Sequence, residues 1–287
     1  MNPVITTPAT PTLAHTRLRL RAADPYLLIL ILFCVALLSV AILGPWIAPY
    51  PPDATDILAA NQSPSPAHVL GTDSLGRDIF SRLLWGARIS YAAAALIVVF
   101  SMLSGCALAV LSAWFGGAVD AGVGGTLNVM IAVPGILVAL IAVTILGTGF
   151  WAPVIAMSIA SAPYVARIIR SSALVERRKP YIEALTLSGV SSARINMHIV
   201  RGLSSLILAQ ATFSFGVALL EFGALSFIGL GIQAPTAEWG AMVVAGRSEL
   251  LSGNMQQTFA AGAMIVISVV AFTLLGDRLA RVVGRAA

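Results

Sequence analysis

Few residues in this chain are equipped for chemistry, and their spacing excludes most kinds of it. The clearest acid inside an apolar stretch is Glu221, in "VALLEFGALSF". It stands alone, whereas an intramembrane protease needs paired aspartates, a Ser/His pair or a metal cluster. His15, His68 and His198 are scattered and distant in sequence from Cys34 and Cys106, so no zinc-ligand spacing arises. Both cysteines fall within apolar runs and read as small core residues, with no disulfide framework and no metal pair. A phosphate-cradling loop needs G-x-x-x-x-G-K-[ST]; the single lysine, Lys179, is followed by Pro180. Neither H-E-x-x-H nor G-x-S-x-G occurs. The chain therefore carries no catalytic constellation, and nucleotide hydrolysis is not its own work.

Two polar stretches interrupt the apolar sequence. "GTDSLGRDIF", Gly71 to Phe80, places Asp73, Arg77 and Asp78 within six positions. These form either a structural salt-bridge cluster or a ligand contact, and the first reading is preferred. "YIEALTLSGVSSARINMHIV", Tyr181 to Val200, carries Glu183, Arg194, Asn196 and His198 between long apolar runs. Pro180 suits the first turn of a helix, and Glu183 falls in that turn, where the helix dipole favours an anion. Gly189 lets the chain turn between two short helices and lets another backbone approach. Leu185, Val190, Ile195 and Ile199 supply apolar side chains to pack on a neighbour. A plain connecting loop on the membrane surface fits the same residues equally well.

The elements that must carry these residues are membrane spans. Of 287 residues, 58% are hydrophobic and 10% charged, with a mean hydropathy of +0.92. Soluble domains carry about a quarter charged residues, so lipid is the solvent for most of the chain. The net charge of +5 does not signal nucleic acid, because the basic residues sit in short blocks between apolar runs. Spans are expected near Tyr26–Ile47, Tyr91–Phe115, Leu127–Leu146, Phe150–Ile169, Leu203–Leu230 and Phe259–Gly276. Each approaches the roughly 20 residues that cross a hydrocarbon core. None alternates with period two, so the fold class is all-α, a polytopic protein with six transmembrane helices. Pro153 and Pro163 predict a kink or a late start in the fourth span.

Charge sets the orientation. With six spans, one side receives every basic residue except Arg77, Arg82, Arg88 and Arg247. The positive-inside rule puts that side, with both termini and the Tyr181–Val200 stretch, in the cytoplasm. The first span follows "RLRLR" but is too long for a signal peptide and lacks a small-residue cleavage site, so it reads as an uncleaved anchor. Residues 1–24, rich in Thr, Pro and Ala, read as a disordered cytoplasmic tail. Glu221 lies within the fifth span. On the lipid face a charge costs about 2.5–3.5 kcal/mol, so it should face protein or a wet cavity. It would pair with Arg247 or a partner subunit, cap backbone near Gly229–Gly231, or line a substrate pathway and attract cationic groups.

Glu183, Ala184, Gly189 and Ile199 sit at the spacing of the "EAA loop" of ABC importer permeases, E-A-A, three residues, G, nine residues, I-x-L-P, and the stretch resembles it. Leu185 replaces the second alanine, and Arg201-Gly202 stands where L-P is expected. "GTDSLGRDIFSRLLWGARIS" (Gly71–Ser90), "LSFIGLGIQAPTAEWGAM" (Leu225–Met242) and "LLGDRLARVV" near the C-terminus resemble the C-type permease subunits of dipeptide, oligopeptide and nickel importers. The likeness runs from the first span to the C-terminus.

The resemblance implies a type I ABC importer permease fold in a bacterial inner membrane. Residues 25–88 would form the first transmembrane helix with an external segment. Residues 89–287 would form the permease domain, with a cytoplasmic coupling loop at 172–202. Glu183, Ala184, Gly189 and Ile199 would couple to an ATPase; Gly71, Thr72, Asp73, Gly76, Arg77 and Asp78 would form an external signature near a docking binding protein. Implied partners are a homologous second permease subunit in a heterodimer, two cytoplasmic ATPase subunits and an extracytoplasmic substrate-binding protein. ATP and magnesium would be used by the ATPase subunits, and this chain would bind no cofactor. Di- or oligopeptide is the leading cargo, with nickel or a metal chelate as the alternative. A secondary transporter is the rival class, but no inverted repeat is visible, and a channel would need a filter or charged ring.

Overall fold

A computed structural model describes residues 24–284 of the chain; the basic residues Arg17, Arg19, Arg21 and Arg285, and all but the last residue of the expected N-terminal tail, lie outside them. The helices are α1 (Pro25–Ile47), α2 (Ile79–Phe115), α3 (Gly117–Ala132), α4 (Gly135–Leu146), α5 (Trp151–Arg177), α6 (Pro180–Leu187), α7 (Ser192–Gly202), α8 (Ser204–Phe227), α9 (Trp239–Ala245), α10 (Arg247–Leu251) and α11 (Gln256–Gly284). No strand occurs among the described residues; Thr72 and Asp78 form one isolated bridge. Five helices, α1, α2, α5, α8 and α11, are long and apolar enough to cross a membrane, and α3 with α4 makes a sixth candidate, bent by 82°.

Two expected spans need correction. The second begins at Ile79 rather than Tyr91 and runs for 37 residues, about 55 Å at 1.5 Å per residue. Asp78 starts it, its carboxylate accepting from the backbone N–H of Ser81 at 2.8 Å. The third is not one helix. Val133 is extended (φ −83°, ψ 120°), because Pro134 disfavours helical backbone in the residue before it and offers no N–H of its own. The fourth span starts at Trp151, which puts Pro153 in the first turn, where no intrahelical N–H is needed; the helix continues through Pro163.

Helix α2 is the spine. It packs against α1, α3, α5 and α8, and its contacts are made through small residues such as Ala87, Ala93, Ala94 and Ala109, all fully buried. Without a hydrophobic drive between helices in lipid, close approach through small side chains supplies the packing. A methyl group added at Gly105 would lie 2.7 Å from Val165 of α5, and one at Gly276 of α11 would lie 2.5 Å from the Phe213 backbone of α8. Tyr91 joins α2 to α11 by a 2.6 Å hydroxyl–hydroxyl bond with Ser268. Cys34 is buried in the core, and both cysteines are free.

The ends of the bundle differ in charge. At one end the Arg177 guanidinium donates to the carbonyls of Ala113 and Trp114 and lies over the Trp114 ring. This cation closes the C-terminus of α2, where the helix dipole favours positive charge. Arg170 pairs with Asp120 at 2.6 Å beside it, and Arg278 binds Asp24 at the start of α1. Arg77 and Arg82 belong to the opposite end, around the N-terminus of α2.

Candidate functional site

Three places gather the residues singled out by the sequence. The first is the pair α6 and α7. Lys179 is extended before Pro180, which occupies the first turn of α6 with Glu183. The helix stops in a Schellman arrangement: Gly189 N–H donates to Thr186 O and Val190 N–H to Leu185 O, both at 3.1 Å. Gly189 has φ +72°, the left-handed conformation this cap requires. Ile182, Ile195 and Ile199 point into the chain's own core, and Leu185 and Val190 pack partly against it. The apolar face of the loop is therefore its attachment. Ile199, only 1% exposed, anchors α7 and presents no surface. What the loop shows outward is Glu183, Ala184, Gly189, Arg194, Leu187 at 84% exposure and Met197 at 52%.

A carboxylate that sequence reasoning passed over holds the loop's root. Buried Glu176, at the end of α5, accepts from the Tyr181 hydroxyl at 2.7 Å and from Lys179 at 2.9 Å. Burial, then the Glu176 carboxylate, pushes the Tyr181 phenol up to about 12, so it remains a donor. Gly202 lies against this carboxylate: a methyl group there would sit 2.6 Å from Glu176 Oε1. Arg201-Gly202, the departure from L-P, thus leaves α7 intact through Gly202 and admits Glu176.

The second place is the segment between α1 and α2. Asp73 is fully buried and accepts from the backbone N–H groups of Leu75 and Arg77, both at 2.9 Å, and from Arg77 Nε at 2.7 Å. Arg82, 1% exposed, reaches Pro52 O and Pro235 O at 2.7 and 3.0 Å and Asp53 at 3.2 Å. Asp78 contacts His68 at 3.0 Å while capping α2. Thr72 donates to the Ala59 carbonyl. Gly71 (φ +78°) and Gly76 (φ +71°) turn the backbone where a side chain would strike Gln62 O and Asp56 O. Ser74 N–H donates to Glu249 of α10 at 2.8 Å. The six signature residues thus come together around a buried ionic knot.

The third place is a cavity of ≈ 270 Å³ between α2, α5 and α8, lined by Ser101, Ser161, Tyr164, Gln210, Ser214 and Glu221 among apolar residues. Glu221 Oε2 is buried and has no hydrogen-bond partner among the described residues. No ion pair joins Glu221 to Arg247. The Gly229–Gly231 turn is closed by Leu225 O and by the Ser226 hydroxyl, which accepts from Ile232 N–H at 3.3 Å. Within this chain Glu221 thus contacts neither Arg247 nor the Gly229–Gly231 backbone, which leaves a partner-subunit contact and the pathway.

Residues 101–287 match the model of the "binding-protein-dependent transport system inner membrane component" family. The chain belongs to that family. The permease is 37% identical over 244 residues to the probable D,D-dipeptide transport system permease protein DdpC of Escherichia coli (strain K12), covering 85% of this chain and 82% of DdpC. It is 38% identical over 250 residues to the glutathione transport system permease protein GsiD of Pectobacterium atrosepticum, covering 86% and 83%. Among solved structures, the inward-facing MetNI methionine ABC transporter matches with a TM-score of 0.56 at 19% identity, covering 70% of the permease and 96% of the MetNI chain. That likeness shows the fold: the permease has the all-helical architecture of a type I ABC importer subunit.

Proposed function

We propose that this permease is one of two homologous membrane subunits of an ATP-driven importer that moves di- or oligopeptides inward. The arginine-rich end of the bundle faces the cytoplasm, with both termini, and the buried ionic knot faces outward, where a binding protein delivers cargo. Two cytoplasmic ATPase subunits bind and hydrolyse ATP with magnesium. The observation that carries this reading is the α6–α7 hairpin. It is bolted to the core through Ile182, Ile195 and Ile199 and presents Ala184, Leu187, Gly189 and Met197 to the outside. An apolar rim on a rigid mount is built for a protein partner, and closure of that partner would push the whole bundle between two states. Peptide cargo is supported by relatives named for D,D-dipeptide and glutathione transport.

The test reconstitutes the permease with its second subunit, the ATPases and the binding protein. ATP-dependent uptake of a labelled dipeptide, and loss of ATPase co-purification with Glu183→Lys, are the expected results. Nickel uptake without peptide uptake would replace the cargo, and ATP-independent exchange driven by an ion gradient would overturn the importer reading.

A further inference from the structure

The carboxylate of Glu221 is an unusual object to leave in a membrane helix without a cation. Among the described residues, no lysine or arginine lines its cavity, and Oε2 is buried and unpartnered. What surrounds it is a set of acceptors. Gln210 Nε2 donates to Ser214 Oγ at 3.1 Å, which turns the Gln210 carbonyl oxygen free to accept. Ser161, Ser214 and Tyr164 add hydroxyl oxygens; the Ser161 hydroxyl donates its proton to the Glu221 carboxylate and keeps its lone pairs to accept. An isolated charge in a spanning segment marks a route or a wet cavity by default. A negative charge ringed by oxygens suits a primary ammonium group, which brings one positive charge and three N–H donors.

We infer that the α2/α5/α8 cavity is a transient site for a cationic group of the cargo, with Glu221 supplying the charge and Ser161, Gln210 and Ser214 the remaining acceptors. This rests on the importer reading above and adds to it the chemical group recognised within the membrane. Free peptides carry such a group at their N-terminus. Ser101 and Tyr164 bound the site on the α2 and α5 sides, so passage through it touches three helices that the two end states can displace.

The experiment measures the cavity's charge directly. In the assembled transporter, Cys34 and Cys106 are replaced by alanine, and Ser214→Cys provides a probe. Modification by a cationic methanethiosulfonate (ethyltrimethylammonium) is compared with that by an anionic one (ethylsulfonate), with and without ATP. The thiolate fraction is common to both reagents, so their rate ratio reads the local potential. A full charge within several ångströms predicts a cationic preference of about tenfold or more, abolished by Glu221→Gln. A free-amine dipeptide present during turnover should slow the cationic reagent, and its N-acetylated form should not. Absence of reaction in both nucleotide states, with Ser161→Cys as the second probe, would overturn the inference, as would a preference unchanged by Glu221→Gln. The importer reading is tested separately by peptide uptake through the parent complex. Uptake without charge preference removes the cation site alone; charge preference without peptide uptake removes the peptide assignment alone.

Discussion

Gly189 allows backbone strain and steric crowding to be separated. Its φ of +72° is forbidding to side chains, yet a Cβ built there meets no atom of the described residues within 4 Å. Within the permease, Gly189→Ala therefore costs only the left-handed conformation, about 1–2 kcal/mol. That corresponds to roughly a 5- to 30-fold loss of the docked loop geometry. Asn tolerates the left-handed region better than other residues with a Cβ, so Gly189→Asn should retain most of the geometry if conformation is all that matters. If an ATPase subunit closes over the turn, Asn should fall below Ala, because its side chain is larger, and Gly189→Arg should abolish coupling. The assay is the affinity of purified ATPase for the two-permease complex in nanodiscs, read together with transport-stimulated ATP hydrolysis. Circular dichroism and membrane insertion should be unchanged in all three variants. Wild-type affinity and uptake in Gly189→Arg would refute the reasoning, since no partner could then approach the turn.

Other perturbations have equally definite outcomes. A reporter active only in the cytoplasm should work when fused after Arg178 or at Ala287 and fail near Ser65 or Glu249; activity at Ser65 would reverse the orientation. Asp73→Ala leaves Arg77 and Arg82 buried without their shared acid and should destabilise the fold by about 3–5 kcal/mol, lowering the unfolding temperature in detergent by more than about 5 °C. Gly202→Ala should displace Glu176 from Tyr181 and Lys179 at a cost of about 1–2 kcal/mol. In a double-mutant cycle, Glu176→Ala should absorb most of that cost; additive effects would show that the two residues do not meet.

Much of the helical framework was legible because apolar runs must be long enough to cross the hydrocarbon. The misreadings came where that signal is diluted. Residues Ile79–Ser90 carry Ser81, Arg82, Arg88 and Ser90, so the apolar run within α2 begins only at Tyr91, although Asp78 followed three residues later by Ser81 is a helix start written in the chain. Pro134 sits in an otherwise uniform apolar run, and hydropathy alone conceals the break it makes. The knot around Asp73 was visible as ion-pair spacing, but not the remote Pro235 carbonyl and Glu249 that complete it. At the α6–α7 hairpin, the residues and the turn were readable, whereas the direction of Ile199 was not: period alone marks an apolar face without saying what covers it. The surroundings of Glu221 come from three stretches far apart in sequence, Ile97–Ser101, Ser161–Ile168 and Gln210–Glu221, and no local pattern joins them.

The 37-residue α2 has a consequence of its own. One end is gripped by Arg177, three residues from the start of α6; the other carries the Asp78 cap and the buried Arg82. It contains no proline and runs unbroken through Gly86 and Gly105, so it behaves as a single lever whose arms lie at opposite ends of the bundle. A small tilt imposed near Arg177 displaces Ser81 and the segment around it in the opposite sense, by an amount set by the arm lengths. The Ser81 end of the bundle then needs no signal relayed from side chain to side chain to register an event at the Arg177 end, because both ends belong to one continuous helix.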